Sequence, residues 1–474
     1  MILYFSVMRR IIATTLLTVL AGLLAAQGVN IRLDVSGCKA GTYKIIGMLG
    51  GQNFLADSVV SKLPGTMTWA KEKTVEPGLY YILMPDGNNY VQLLLDREQK
   101  FTMKTNLADL VGSMQVEGSE DNHLFYLNQR FEAAFKKRAD SVDTALKALP
   151  AGDMNRPYLD NLKEKLASER KQHLELFKTT QPESFFTVFK LSGQNPELKY
   201  PTLPNGSLDT LTQIRLYRDD YWKNTDLADA RLLRTPVIPN KLKTYMTQLV
   251  PQAPDSVILY ADKVIALAKP CAECYKYVVN WIAIQYEKPT IMGGEKVLVH
   301  MVDKYFTDEV AHWFKDKPED LAKIRKKVKE MRVSLLGMTG QDLRCRGLDG
   351  TPKSLYELKG KAKIVYMYST SCSHCIERTP VMVDVFEKKW KQYGLQVYAL
   401  CLDPEEDKWK EFVAKNKMEG FVNVIDPKYE SGYYKKYHSD ITPELYILDE
   451  NWKIVAKDLH PNQIDPVLKK LYGI

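Results

Sequence analysis

The sequence predicts a multidomain chain in three parts: an N-terminal antiparallel β domain, a middle all-α domain and a C-terminal α/β domain. Three observations carry that prediction. Short β-branched and alternating runs fill the first part, apolar residues at helical spacing fill the second, and strands alternate with helices in the last. With 474 residues, 45% of them hydrophobic, the chain has enough material for about three domains of ~100 to 200 residues each.

The first residues read as an export signal, 1–26. Arg9 and Arg10 precede an uncharged apolar run from Ile11 to Leu24, which closes on the small residues Ala25 and Ala26. A run of about 14 residues is short for a membrane span, which needs about 20. Cleavage is therefore expected, leaving no integral membrane segment. Removing the two arginines lowers the formal net charge from +8 by two, to +6. Basic and acidic residues are interleaved along the whole chain, so no nucleic-acid partner is expected.

The β domain is expected over 27–116. "NIRLDV", "TYKIIGM", "DSVVSK", "TMTW", "LYYILM", "YVQLLLD" and "KFTMKT" read as its strands, with Pro85, Asp86, Gly87 and Asn88 as turn formers. The helical domain is expected over 117–335. In "DSVILYADKVIALAK" the apolar residues Val257, Ala261, Val264 and Ala268 recur at three and four, and Asp255 or Ser256 is placed to cap the start. Proline and glycine breaks divide this region into about eight helices. The last domain, 336–474, alternates "KIVYMY", "LQVYALCLD", "FVNVID", "LYILD" and "KIVAK" with helices. Asp403 before Pro404, Glu405 and Glu406 reads as a helix start.

The chemistry concentrates in "YSTSCSHCIERTP", residues 368–380. Cys372 follows the apolar strand from Ile364 to Tyr368 and precedes a helix carrying Met382, Val385, Phe386 and Trp390. At a helix N-terminus the free backbone N–H groups and the positive end of the dipole favour thiolate over thiol. Cys372 is thus the expected nucleophile. Cys375, one turn further in, is placed to attack a mixed disulfide at Cys372 and release the partner. His374 between them can further stabilise the thiolate.

These features, with "GQDLRCRGLDGTPKSLYELKGK" ahead of them and "ITPELYILD" after, resemble the TlpA-like thiol:disulfide oxidoreductases, whose domain has the thioredoxin fold. The resemblance covers about 337–474. It implies that Pro443 is the cis-proline facing the two sulfurs and that Thr442 pairs with a bound substrate strand. It also implies that Pro380 is the proline of the active-site helix, and that residues around 401–427 form an inserted αβ unit. Glu377 stands close to where the family places a glutamate that tunes the second cysteine. Where thioredoxin has a buried acid in its central strand, this chain has Tyr366. Segments such as "NTDLADARLLRTP" and "LVHMVDKYF" resemble multidomain envelope proteins of Gram-negative bacteria, which implies a periplasmic location. The partners implied are protein thiols and disulfides, with electrons from a membrane thiol donor; no cofactor or metal is implied.

Other readings compete. A peroxiredoxin would place threonine three residues before its attacking cysteine and proline further upstream, where Ser369 and Val365 stand. Zinc would need ligands beyond one C-x-x-C pair. Cys271 and Cys274 make a second such pair; sharing a face with Tyr275, Val278 and Ile282, they read as buried core thiols, with a second redox pair as the alternative. Cys38, Cys345 and Cys401 read as single cysteines. The chain could also be an envelope binding protein whose last domain is structural, and within dithiol chemistry, isomerase or oxidase work stands beside reduction.

Overall fold

A computed structural model describes residues 28–474 apart from Ala151 and Asp440. The expected export signal, 1–26, lies outside the described residues. Among the described residues no helix is long and apolar enough to cross a membrane. The chain forms two compact units. One runs to Val250 and includes Ile265–Tyr277; the other comprises Pro251–Val264 and Val278–Ile474. The helical residues expected as a domain of their own are apportioned between the two.

The first unit holds two four-stranded sheets. One has the order β4 (Thr66–Lys71), β1 (Val29–Ser36), β7 (Lys100–Asn106), β8 (Gln115–Glu117); the other β3 (Gln52–Ser61), β2 (Gly41–Leu49), β5 (Gly78–Leu83), β6 (Tyr90–Leu95). Alternation drives them: in β1, Val29, Ile31, Leu33 and Val35 are buried while the residues between are not. The pairing is antiparallel except that β1 runs parallel to β7. Period-two patterning marks a strand's faces but not its neighbour, so this departure from an all-antiparallel domain was invisible in the sequence. Helix Glu120–Ala148 follows, capped by Ser119. Its buried Asn122 accepts the Leu94 N–H at 2.8 Å and donates to the Leu94 carbonyl at 2.7 Å, satisfying both backbone groups of that β6 residue.

Among the described residues ten α-helices lie between Glu120 and Met331, two more than expected. Helix Pro254–Ala268 begins at least two residues earlier than a cap at Asp255 or Ser256 allows. Proline tolerates the first turn, where no N–H is needed, and Asp255 then acts on the dipole from inside the helix.

The second unit contains a seven-stranded mixed sheet, ordered β10 (Pro352–Ser354), β9 (Arg344–Gly347), β13 (Val422–Ile425), β12 (Gln396–Cys401), β11 (Ala362–Tyr368), β14 (Glu444–Asp449), β15 (Ile454–Lys457). Strands β13, β12 and β11 are parallel; the others join antiparallel. All seven residues of β11 are buried, and from Ile364 to Tyr368 it reads as a continuous apolar run. Tyr366 and Tyr368 face a core containing Met382, Phe386, Trp390 and Phe412. Val365 and Met367 face the opposite core, with Tyr398, Tyr437 and Tyr446. Gly360, at φ +108, precedes β11; a Cβ there would lie 2.7 Å from the Gly394 carbonyl oxygen. Within the same unit, Lys457 of β15 and Glu295, the first residue of helix Glu295–Tyr305, form an ion pair at 2.8 Å with about a tenth of either side chain exposed.

Candidate active site

The site lies at the carboxyl ends of β11 and β12. Strand β11 stops at Tyr368, residues 369–371 make the turn, and Cys372 caps helix Ser373–Val385 in an extended conformation, φ −77 and ψ 121. The Cys372 carbonyl accepts the first helical hydrogen bond, from the Ile376 N–H at 3.0 Å. Pro380 lies inside the helix.

The two thiols differ sharply. Cys372 is half-buried and Cys375 fully buried, and both are free. Partial desolvation works against ionisation of Cys372. The Thr442 hydroxyl, the Cys375 thiol and the backbone N–H groups of Cys375 and His374 outweigh it, holding this thiol below its ordinary value. Burial instead pushes Cys375 up to about 12, although the Ser369 N–H reaches its sulfur at 3.5 Å.

Thr442 lies against Cys372: its carbonyl oxygen accepts from the Cys372 thiol at 3.3 Å. The Thr442–Pro443 peptide bond is cis. Next along, Glu444 opens β14 and is buried. Its Oε2 lies 2.7 Å from the Tyr446 hydroxyl, which lies equally close to the Tyr437 carbonyl. A phenol has one proton and a carbonyl has none. With the Tyr446 proton on the Tyr437 carbonyl, the second contact needs a protonated Glu444. Burial pushes this carboxyl up to about 7, consistent with that count.

His374 and Glu377 are both exposed, and they face each other at 4.0 Å rather than the sulfurs. Tyr366, in the place of thioredoxin's buried acid, is buried and shares a 2.9 Å hydrogen bond with the Thr379 hydroxyl of the active-site helix. Burial raises it well above the ordinary phenol value, so it stays neutral.

Asp403 was missed. The expectation that it starts a helix is corrected: helix Glu406–Lys415 begins later, behind Glu405. The Asp403 carboxylate instead accepts from the Ser369 hydroxyl at 2.7 Å, the Thr370 N–H at 2.5 Å and the Thr370 hydroxyl at 2.6 Å. It therefore fixes the turn that presents Cys372. The Cys401 thiol, also buried, points at the same carboxylate from 3.8 Å.

The chain is similar to several known proteins. Residues 324–457 match the model of the AhpC/TSA family. The thiol-disulfide oxidoreductase ResA of Bacillus cereus (strain ZK / E33L) is 27% identical over 127 residues, covering 26% of this chain and 71% of the relative. Among solved structures, a thioredoxin-like protein from Bacteroides caccae ATCC 43185 is 16% identical with a TM-score of 0.46, covering 58% of this chain and 99% of the other. A thiol:disulfide interchange protein from Bacteroides sp. is 24% identical with a TM-score of 0.28, covering 30% and 93%. The C-terminal part of this chain is a TlpA-like thiol:disulfide oxidoreductase domain with a thioredoxin-like fold, and the protein is a thiol:disulfide oxidoreductase.

Proposed function

We propose that the protein is an exported disulfide reductase that works by dithiol exchange through Cys372 and Cys375. The thiolate of Cys372 attacks a substrate disulfide, forming a mixed disulfide and releasing one substrate thiolate, which takes a proton. Cys375 then loses its proton and attacks the Cys372 sulfur. The Cys372–Cys375 bond forms, and the substrate leaves with both its sulfurs reduced. A membrane thiol donor would restore the pair.

The observation that carries this reading is the asymmetry between an accessible thiol held below its ordinary value and a buried one pushed to about 12. Thr442 would align the substrate strand beside Pro443, with His374 at the exposed rim and Glu377 its partner. A periplasmic location follows from the reading of 1–26 as a cleaved signal.

Insulin reduction by the full chain tests the mechanism. Serine at position 372 should abolish it, and Cys375→Ser should accumulate mixed disulfides; unchanged activity with Cys372→Ser overturns the proposal. The reduction potential of the pair tests the direction. A value well below about −200 mV supports a reductase, and one near about −120 mV marks an oxidant.

A further inference from the structure

The second C-x-x-C pair does not have the environment of two core thiols. Cys274 is fully buried, but Cys271, like Cys372, is only half-buried, immediately before helix Ala272–Gln285. The Cys271 carbonyl accepts the first helical hydrogen bond, from the Tyr275 N–H at 2.8 Å. Its sulfur accepts the Cys274 N–H at 3.1 Å. This repeats the arrangement at Cys372 and Cys375: an accessible cysteine as the residue before a helix, and its partner buried one turn in.

The chemistry of the two positions divides in the same way. Burial pushes the Cys274 thiol well up, and its hydrogen bond with Cys271 adds to this, so Cys274 keeps its proton. The sulfur at 271 is instead the accessible one of the two, with a helix-end N–H directed at it. Glu273, between the two cysteines, would oppose negative charge there, but its carboxylate is engaged by the Arg234 guanidinium at 2.8 Å.

We propose that Cys271 and Cys274 are a second dithiol centre, taking protein disulfides as substrate and cycling between two thiols and a Cys271–Cys274 disulfide. The Cys271 thiolate attacks one sulfur of the incoming disulfide, and the displaced sulfur leaves as a thiolate that is protonated. The Cys274 thiol gives up its proton and attacks Cys271, which breaks the mixed disulfide and frees the second substrate thiol. Two electrons pass from the pair to the substrate, and the substrate gains two protons. A partner protein with two free thiols runs the same steps backwards: one of its thiolates attacks the Cys271–Cys274 disulfide, its second thiol resolves the mixed disulfide, and the partner leaves as a disulfide with both cysteines reduced.

The test uses the full chain carrying Cys372→Ser and Cys375→Ser, so that it does not depend on the first pair. This protein is incubated with glutathione disulfide, alkylated and digested for mass spectrometry. The expected result is a Cys271–Cys274 disulfide that dithiothreitol reverses with no change in the far-ultraviolet circular dichroism. Adding Cys274→Ser should trap glutathione on Cys271, whereas adding Cys271→Ser should leave Cys274 unmodified. The proposal is overturned if both thiols of the parent remain alkylatable after oxidation, or if the bond once formed resists dithiothreitol until the protein unfolds. The parent protein decides the matter even if the serine variants at 271 or 274 fail to fold.

Discussion

Replacing Glu444 with glutamine should remove a pH dependence of stability that the buried carboxyl imposes. In the native protein Glu444 holds its proton up to about pH 7, against an ordinary value of 4.5 in the unfolded chain. Between those values the native state binds a proton that the unfolded state has released, so raising the pH favours unfolding. The cost is absent below 4.5 and complete above 7. At about 1.4 kcal/mol for each pH unit, it comes to about 3 kcal/mol. Glutamine can donate to the Tyr446 hydroxyl as the protonated acid does, but it cannot ionise. The stability difference between variant and parent should therefore grow by about 3 kcal/mol in favour of glutamine from pH 4.5 to pH 8.

Urea series at several pH values, followed by alkylation of the fully buried Cys401 in β12, report the opening of this sheet specifically. Lys457, Asp458, Tyr433 and Tyr446 surround Glu444 in both proteins; the lysine and the two phenols keep their protons over this range, and subtraction cancels the common contribution of Asp458. A difference that stays constant to within about 0.5 kcal/mol over the whole range refutes the assignment of the proton to Glu444.

The other predictions concern the turn, the nucleophile and the approach to β11. The rate of Cys372 alkylation by iodoacetamide should rise with pH to a midpoint below the ~8.5 of a free thiol, and a midpoint at or above that value contradicts the hydrogen-bond argument. Asp403→Ala leaves the donors of Ser369 and Thr370 without their acceptor and should destabilise the second unit by about 2 kcal/mol. Labelling of the buried Cys345 in urea would reveal this. Gly360→Ala places a methyl group against the Gly394 carbonyl at a backbone angle that disfavours side chains. A loss of roughly 1–3 kcal/mol is expected in the same assay, and none if the loop relaxes freely.

The sequence reveals local chemistry well and spatial convergence poorly. The strand before Cys372 and the helix after it were readable because an uninterrupted apolar run, then a polar turn, then apolar residues at helical spacing leave few alternatives. Asp403 was misread for a physical reason: acid, proline and two further acids satisfy every local rule for a helix start. Only the parallel pairing of β11 with β12 reveals that its carboxylate serves another segment. That signal was faintly present, since a polar residue just after a buried parallel strand stands at the end of the sheet where such sites form. Glu444 carried no signal, because its proton depends on Tyr446 and Tyr437 being brought together by the fold. The parallel neighbour of β1 was equally hidden, since β7 lies over sixty residues away along the chain.

The ion pair between Lys457 and Glu295 bears on any attempt to study the redox domain in isolation. Cutting at 336 severs the helix that supplies the carboxylate, while the lysine, of which under a tenth is exposed in the intact chain, stays on β15. Its remaining acid neighbour, Asp458, is at 3.6 Å. The excised fragment would inherit a cation that has lost its 2.8 Å carboxylate partner, beside the very carboxyl, Glu444, whose ionisation it influences. A start upstream of residue 295 keeps that balance, so thiol titrations on such a fragment would describe the intact protein more faithfully.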